Sequence, residues 1–175
     1  SGASAIDPLA LEGFNGFGFD AVQGYGMTET APILAVEGLN QIEAGTVGYS
    51  LPQTEVAILN PDKDGIGEVI GRGPGVMLGY YNDPEETAKI LEDDGWIHTG
   101  DLGMLSKDKK MLKICGRSKN VIVLKNGKNV YPEEIETLVA NLPYVKECMV
   151  YGEEKTGRND ADDVVIALRL VYDES

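Results

Sequence analysis

The chain of 175 residues is long enough for one large domain or a domain and a half, and its 42% hydrophobic content predicts an ordinary buried core rather than general disorder. A net charge of −14 argues against nucleic acid as a partner. No apolar run reaches the length of a membrane span. The two cysteines form no recognisable disulfide framework or metal spacing, and with one histidine a zinc site is disfavoured. We therefore expect a reducing, cytoplasmic compartment.

The first elements along the chain are predicted to be a helix and a strand. Asp7-Pro8 is typical of an N-cap followed by proline at the first helical position, and the glycines between residues 13 and 16 end that helix. The apolar run Phe19–Val22 predicts a buried strand, which then breaks into a turn over Gly24–Thr30.

The turn after this strand carries groups suited to a nucleotide. Gly24 and Gly26 let a ligand approach the main chain closely, and Tyr25 offers a flat face to a purine. Thr28 can donate a hydrogen bond to a phosphate oxygen, and Glu29 is a hard oxygen ligand of the kind that Mg²⁺ prefers. A plain strand-to-loop turn with a solvated acid is the alternative, and these residues alone do not decide between the two.

Short β-rich pieces alternate with glycine and proline turns from residue 45 to about residue 114, which predicts a small barrel-like β subdomain. Its predicted strands are Thr46–Tyr49, Glu55–Leu59, Gly67–Arg72, Val76–Leu78 and Met111–Cys115. One helix interrupts them: Asn82–Glu86 supplies a cap, a first-turn proline and two acids, and Gly95 is predicted to end it.

An α+β unit is predicted after Gly116. It contains a hairpin with its turn at Asn126-Gly127, a helix that begins at Pro132, and the strands Val145–Tyr151 and Val164–Tyr172, joined by a polar loop. The apolar face of the helix consists of Ile135, Leu138, Val139 and Leu142.

Three further features have both a chemical and a structural interpretation. Thr99-Gly100-Asp101 is predicted as a turn whose acid could accept both hydroxyls of a ribose, although such turns are often structural. Arg117 lies at the junction of the two parts, where either a ligand or an interdomain salt bridge could use it. The segment from Lys107 to Lys128 holds eight basic residues and one acid, and is either a solvated face or a cationic rim for a polyanionic small molecule.

Six motifs taken in order give a stronger indication than any of them alone. They occupy residues 1–4 (Ser-Gly-Ala-Ser), 23–30, 67–87, 95–103, 116–124 and 131–136 (Tyr-Pro-Glu-Glu-Ile-Glu). In this order and spacing the chain resembles the adenylate-forming, AMP-binding enzymes of the acyl-CoA synthetase type, over nearly its whole length to about Glu136. Residues 116–136 are most similar to the long-chain fatty acyl-CoA synthetases.

The resemblance implies roles for individual residues. The implied nucleotide-binding residues are Gly2, Ala3, Ser4, Gly24, Tyr25, Gly26, Met27, Thr28, Asp101 and Arg117. Residues 2–4 would line the adenine pocket and Tyr25 would lie against the adenine. Thr28 would bind the α-phosphate and Glu29 the Mg²⁺, as the catalytic pair, and Asp101 with Arg117 would hold the ribose hydroxyls.

The resemblance implies roles for two further positions. Lys119 would be the hinge about which a small C-terminal domain rotates, and Gly127 falls near the glycine that lines the coenzyme A tunnel. Trp96 and His98 are expected to be packing residues, since nothing in the sequence requires His98 as a base.

The implied architecture is α+β. Residues 1–115 would be the C-terminal part of a large α/β domain, with 45–115 as the β-barrel-like subdomain, 116–120 as the hinge, and 121–175 as a truncated small α+β domain. The family's phosphate loop and C-terminal lysine fall outside these 175 residues, so we expect a fragment that is inactive by itself.

The implied activity is ATP-dependent conversion of a carboxylic acid, expected to be a long-chain fatty acid, through an acyl-adenylate to a coenzyme A thioester, with ATP/AMP and Mg²⁺ bound. Nucleic acid and integral membrane segments are not expected, and peripheral membrane association of the full-length protein is compatible with this activity. The alternatives are an adenylation domain that loads a carrier protein and a non-catalytic nucleotide-binding domain.

Overall fold

The computed structural model describes residues 6, 8–39, 43, 45–107, 110–156 and 162–172, and divides the chain into two compact units, residues 1–114 and 115–175. Both units combine helices with strands, which confirms the predicted α+β class. Within the described ranges, no helix is long and apolar enough to cross a bilayer.

The first unit begins with a helix and a small antiparallel sheet. Helix α1 spans Pro8–Gly16, and strands β1 (Gly24–Tyr25), β2 (Ala35–Val36) and β3 (Tyr49–Ser50) pair in that order. The turn between β1 and β2 contains one 3₁₀ turn over Thr28–Thr30. β1 and β2 therefore form a hairpin that presents the turn at its tip.

The predicted strand over Phe19–Val22 is wrong, because this stretch is a loop held against α1. Ala21 N donates to the Asn15 side chain at 3.0 Å, and Phe19 N donates to Phe14 O at 3.1 Å. The Phe14 and Phe19 rings meet edge to face with 6.3 Å between their centroids. Among the described residues no strand pairs with this loop, so regular pairing begins only at Gly24.

A four-stranded sheet follows, in the order β4-β5-β6-β7. Its strands are β4 (Glu55–Leu59), β5 (Gly67–Arg72), β6 (Ile97–Leu105) and β7 (Leu112–Arg117), of which β7 begins in the first unit and ends in the second. The bounds of β4 and β5 are as predicted. Among the described strands β4 and β7 are edges, so the barrel-like region is an open sheet, and the predicted strand Val76–Leu78 is loop.

Two boundaries in this region differ from the prediction. Helix α2 spans Pro84–Ile90, with Asp83 as its N-cap, and ends before Gly95, since Leu91 has an extended backbone and forms an isolated β-bridge with Ile97. The predicted turn at residues 99–101 is wrong, since these residues lie inside β6. The pairing of β5 with β6 shifts register between Glu68 and Ile70. Gly100, on the β6 side of this shift, has a φ of +71°, so β6 is irregular there.

The core of the first unit is formed by residues from both of its sheets. Ala35, Val69 and Leu112 are fully buried in one cluster. The half-buried residues packed around it are Tyr25, Val47, Val56, Ile58, Leu105 and Ile114. The ring of Tyr25 thus links the tip of the β1–β2 hairpin to the core.

In its described residues, the second unit contains two hairpins, one α-helix and a 3₁₀ turn over Ser118–Asn120. Its elements are β8 (Ile122–Val123), β9 (Asn129–Val130), α3 (Pro132–Ala140), β10 (Val145–Thr156) and β11 (Asp162–Tyr172). β10 pairs antiparallel with β11 and continues past Tyr151, so the predicted polar loop is shorter than expected. The predicted apolar face of α3 is only partly buried, since Leu138 is 73% exposed and Leu142 is 54% exposed.

Candidate functional site

The tip of the β1–β2 hairpin requires glycine at position 26. A Cβ atom added to Gly26 would lie 2.0 Å from the Pro32 carbonyl oxygen and 2.7 Å from the Ile33 Cα. The returning chain is fixed there because Leu34 N donates to Tyr25 O at 2.7 Å. The predicted close approach to Gly26 is therefore made by the protein's own main chain.

The 3₁₀ turn after Gly26 is organised by Thr30, a residue to which sequence reasoning gave no role. The Thr30 hydroxyl donates to Met27 O at 2.9 Å and accepts from Met27 N at 3.0 Å, and the side chain is 1% exposed. This closed ring leaves Thr28 exposed and Glu29 half-exposed. The Thr28 hydroxyl has no hydrogen-bond partner within the described residues, so it can donate to an incoming oxygen.

Tyr25 and Asp101 meet although 76 residues separate them. The Tyr25 hydroxyl donates to Asp101 Oδ2 at 2.7 Å, and Asp101 is only 9% exposed. The contact places the predicted ribose acid beside the hairpin tip that carries Thr28 and Glu29. Tyr25 thus connects the predicted ribose acid to the hairpin that carries the predicted phosphate and metal ligands.

The main chain at Asp101 is held by neighbouring polar groups. Asp101 N donates to Thr99 Oγ1 at 3.1 Å, and that hydroxyl donates to Val69 O at 2.7 Å. Gly100 N donates to Glu68 Oε1 at 3.1 Å. The carboxylate therefore projects from a strand that is fixed on β5.

His98 is not the simple packing residue that was expected. Its Nδ1 lies 3.1 Å from Glu68 Oε2, and its Nε2 lies 2.7 Å from Glu92 Oε1. The hydrogen bond to Glu68 raises the pKa of His98 above its usual 6.5, with Glu92 adding to the effect and burial opposing it. Glu68 therefore joins His98 to the Gly100 main chain. Trp96 does pack, with the Arg72 guanidinium 4.8 Å from its ring centroid.

The raised pKa of His98 predicts a pH-dependent stability. A histidine that gains proton affinity on folding contributes stability below its unfolded pKa of about 6.5, and that contribution is lost as the pH rises through the higher folded value. As the pH rises from below 6.5 through the folded pKa of His98, we expect the stability of the wild type to fall relative to that of a His98→Gln variant by about 0.2–1 kcal/mol, the range for exposed ion pairs. Thermal unfolding of both proteins across this range measures the difference, and a constant difference would contradict the assignment.

Tyr80 also contacts the hairpin tip. Its hydroxyl donates to Glu29 Oε1 at 2.8 Å, while Met77 N donates to the Glu29 carbonyl oxygen at 2.8 Å. The other carboxylate oxygen, Oε2, has no hydrogen-bond or ion-pair partner among the described residues. A half-exposed carboxylate with an open oxygen fits a Mg²⁺ ion that keeps waters and substrate phosphates as its remaining ligands. In the described part of the chain, no three His, Cys, Asp or Glu side chains are grouped so that they could hold a metal ion.

Three further predicted site residues belong to the second unit. Arg117, Lys119 and Gly127 are in the second unit, at the end of β7, in the 3₁₀ turn Ser118–Asn120 and in the β8–β9 turn. Gly127 has a φ of +75°, which a glycine adopts without strain. Gly2, Ala3 and Ser4 lie outside the described residues.

The segment around Lys119 is anchored, although the sequence predicts little packing there. Glu133 Oε1 accepts from Asn120 Nδ2 at 2.8 Å and more weakly from Arg117 N at 3.4 Å. A Cβ atom added to Gly116 would lie 2.5 Å from Glu133 Oε2. Polar contacts from α3 thus hold both sides of Lys119.

Comparisons with known proteins show to which family the sequence is similar. Residues 1–81 match the family described as AMP-binding enzyme, and residues 119–158 match the AMP-binding enzyme C-terminal domain. The chain is 35% identical over 163 residues to long chain acyl-CoA synthetase 6, peroxisomal, of Arabidopsis thaliana, with 87% of this chain and 23% of the relative covered. It is 32% identical over 170 residues to a chloroplastic long-chain-fatty-acid–[acyl-carrier-protein] ligase of the same plant, with 89% and 23% covered.

A solved structure supports the same relationship. O-succinylbenzoate coenzyme A synthetase from Bacillus subtilis, in complex with ATP and magnesium ion, superposes with a TM-score of 0.81 at 31% identity, with 98% of this chain and 35% of that chain covered. The chain spans about a quarter of the length of the curated relatives it matches.

Proposed function

Because the chain belongs to the AMP-binding enzyme family, we propose that it forms part of an AMP-forming acyl-CoA synthetase whose substrate is a long-chain fatty acid. In the first half-reaction a carboxylate oxygen attacks the α-phosphorus of ATP, and pyrophosphate leaves. In the second, a thiol sulfur attacks the acyl carbon of the adenylate, and AMP leaves. The cosubstrates are ATP and coenzyme A, with Mg²⁺ as the metal.

One observation carries this proposal: the hydrogen bond from Tyr25 to Asp101. This bond joins the hairpin that carries Thr28 to the proposed ribose acid. The two segments are 76 residues apart, and only the tertiary structure brings them together. Asp101 would accept the ribose hydroxyls, and the Tyr25 ring would lie beside the base. The exposed Thr28 hydroxyl would donate to the α-phosphate, where negative charge develops.

Glu29 would hold the Mg²⁺ through its open Oε2 atom. When bound, the ion supplies positive charge against the phosphate oxygens. Gly24, Gly26 and Met27 would shape the main chain around the nucleotide. From the second unit, we propose Arg117 as a further ribose ligand, Lys119 as the hinge, and Gly127 as part of the coenzyme A tunnel.

The domain assignment is part of the same proposal. We infer that residues 1–115 belong to the large domain and residues 121–175 to the small one, with 116–120 as the hinge. The division of the chain into compact units after Ile114 supports this assignment. A cytoplasmic location and peripheral membrane association remain predictions.

The test is a pair of assays on the full-length protein. ATP–pyrophosphate exchange with fatty acids of increasing chain length reports the first half-reaction, and thioester formation with coenzyme A reports the second. We expect both activities, with a preference for long chains. Absence of exchange with every acid would indicate the non-catalytic alternative.

A carrier protein is the second candidate acceptor, since one matched relative is named as an acyl-carrier-protein ligase. Both acceptors carry the same pantetheine thiol, so the nucleotide site does not distinguish them. Replacing coenzyme A by a phosphopantetheinylated carrier protein in the thioester assay decides between them. Faster transfer to the carrier protein would overturn the coenzyme A assignment.

The proposed hinge gives a prediction about the second half-reaction. Lys119→Pro fixes one φ angle near −65° and removes an N–H group. Hinges are short segments that absorb changes in φ and ψ, so the substitution should slow thioester formation at least about tenfold more than adenylate formation. Single-turnover assays of the two steps measure this.

Lys119→Ala is the matched control for the hinge prediction. It removes the same charge but keeps the rotational freedom of the main chain, so both half-reactions should stay near the wild-type rate. Equal losses in the two half-reactions of Lys119→Pro would reject Lys119 as the pivot.

A further inference from the structure

The loop after β5 contacts Glu29 at two points. Met77 N donates to the carbonyl oxygen of Glu29, and the Tyr80 hydroxyl donates to its carboxylate, each at 2.8 Å. Gly75 approaches the same turn, since an added Cβ would lie 2.8 Å from Thr30 O. Main chain and side chain of Glu29 are therefore both held by a segment about 50 residues away.

Tyr80 is itself fixed on the start of α2. Its main-chain N–H donates to Thr87 Oγ1 at 2.9 Å, and that hydroxyl donates to Asp83 O at 2.7 Å. Asp83 in turn caps the helix by accepting from Glu86 N at 3.0 Å. The preceding residue, Gly79, has a φ of +142°, and an added Cβ would lie 3.0 Å from Thr87 Cγ2. Hydrogen bonds to the first turns of α2 thus fix the main chain that carries the phenol.

The hydrogen bond from Tyr80 leaves the negative charge of Glu29 available to a cation. Tyr80 occupies Oε1 with a neutral donor, so the negative charge of the carboxylate is not neutralised, as it would be by lysine or arginine. Oε2 has no partner among the described residues.

We propose that Tyr80 is a positioning residue that orients Glu29 so that Oε2 faces the metal. The proposal rests on the assignment of Glu29 as the Mg²⁺ ligand. Carboxylates that bind metals are commonly held by such a second hydrogen bond, and removal of the partner costs about 10- to 100-fold in metal affinity. Because Tyr80 is 39% exposed, we expect a loss at the lower end, about tenfold.

The experiment compares Tyr80→Phe, Tyr81→Phe and Glu29→Gln in the full-length protein. Tyr81→Phe is the matched control, because Tyr81 is the adjacent tyrosine, is 93% exposed and has no hydrogen-bond partner in the described ranges. Mn²⁺ serves as the probe: the electron paramagnetic resonance signal of free Mn²⁺ is titrated against protein with ATP present. The dependence of pyrophosphate exchange on Mg²⁺ concentration gives a second readout.

Tyr80→Phe should weaken Mn²⁺ binding about tenfold and raise the KM for Mg²⁺ by a similar factor, with kcat at saturating Mg²⁺ near the wild-type value. Tyr81→Phe should match the wild type, and Glu29→Gln should lose still more affinity. Wild-type Mn²⁺ affinity in Tyr80→Phe, with weakened binding in Glu29→Gln, overturns the role of Tyr80 alone. Wild-type affinity in Glu29→Gln overturns the metal assignment itself.

A second variant keeps the proposal testable if Tyr80→Phe does not fold. Thr87→Val retains the phenol but removes the hydroxyl that anchors the Tyr80 main chain. Folded Thr87→Val protein should bind Mn²⁺ about threefold more weakly than the wild type. Unchanged affinity in that variant would count against the positioning role.

Discussion

Glu29→Gln in the full-length protein is expected to lower ATP–pyrophosphate exchange about 100-fold, because a neutral amide oxygen is a poor ligand for the cation that stabilises the charge on the phosphates. Folding should be nearly unaffected. Within the described residues the Glu29 side chain has only the Tyr80 hydroxyl as partner, and that hydroxyl can donate to an amide oxygen as well. Exchange rates at saturating fatty acid measure the effect.

Glu85→Gln is the control for this substitution. Glu85 is an exposed acid in the first turn of α2, and its side chain has no partner in the described part of the chain. It removes the same charge from the same unit, so exchange should stay within about twofold of the wild type. Normal exchange in Glu29→Gln would mean that another group carries the metal.

Gly26→Ala is expected to destabilise the protein by about 3 kcal/mol and to weaken ATP binding with it. The added methyl group would overlap the Pro32 carbonyl oxygen and the Ile33 Cα, both of them main-chain atoms that cannot rotate away. Relief requires the hairpin to open, which breaks the hydrogen bond from Leu34 N to Tyr25 O. Denaturant unfolding and calorimetry with ATP measure the two effects.

Gly13→Ala is the control, because it makes the same glycine-to-alanine change at a position that has room for the methyl group. Gly13 lies in α1, where an added Cβ has no atom within 4 Å. Alanine favours a helix over glycine by about 1 kcal/mol, so this variant should be slightly more stable than the wild type. A Gly26→Ala protein as stable as the wild type would show that the hairpin tip adapts, contrary to the expected steric conflict.

Elements with strong local signals were predicted well. β4 and β5 have the predicted bounds, α2 begins at the predicted cap and proline, and the Asn126-Gly127 turn joins two short strands. Each of these depends on side chains acting on their own main chain, which a sequence displays directly. Phe19–Val22 failed as a strand because apolar content alone does not supply a neighbouring strand.

For the site, the sequence named candidate residues but not their arrangement. The order of six motifs identified the family and named Tyr25, Thr28, Glu29 and Asp101 as candidates. It did not show that Asp101 lies inside a strand, because a Thr-Gly-Asp run is compatible with a turn or with an irregular strand. Nor did it assign roles to Tyr80, Thr30 or Glu68.

The sequence by itself determined the α+β class, the N-cap of α2, the Asn126-Gly127 turn and the chemistry available to the hairpin tip, because each follows from residues close together in the chain. Only the tertiary structure decided which of those groups meet. The Tyr25 hydroxyl reaches Asp101 across 76 residues, Tyr80 reaches Glu29 across 51, and Glu68 reaches His98 across 30. Contacts of this kind depend on how β4–β7 and the β1–β2 hairpin pack around Ala35, Val69 and Leu112, and no local pattern encodes that packing.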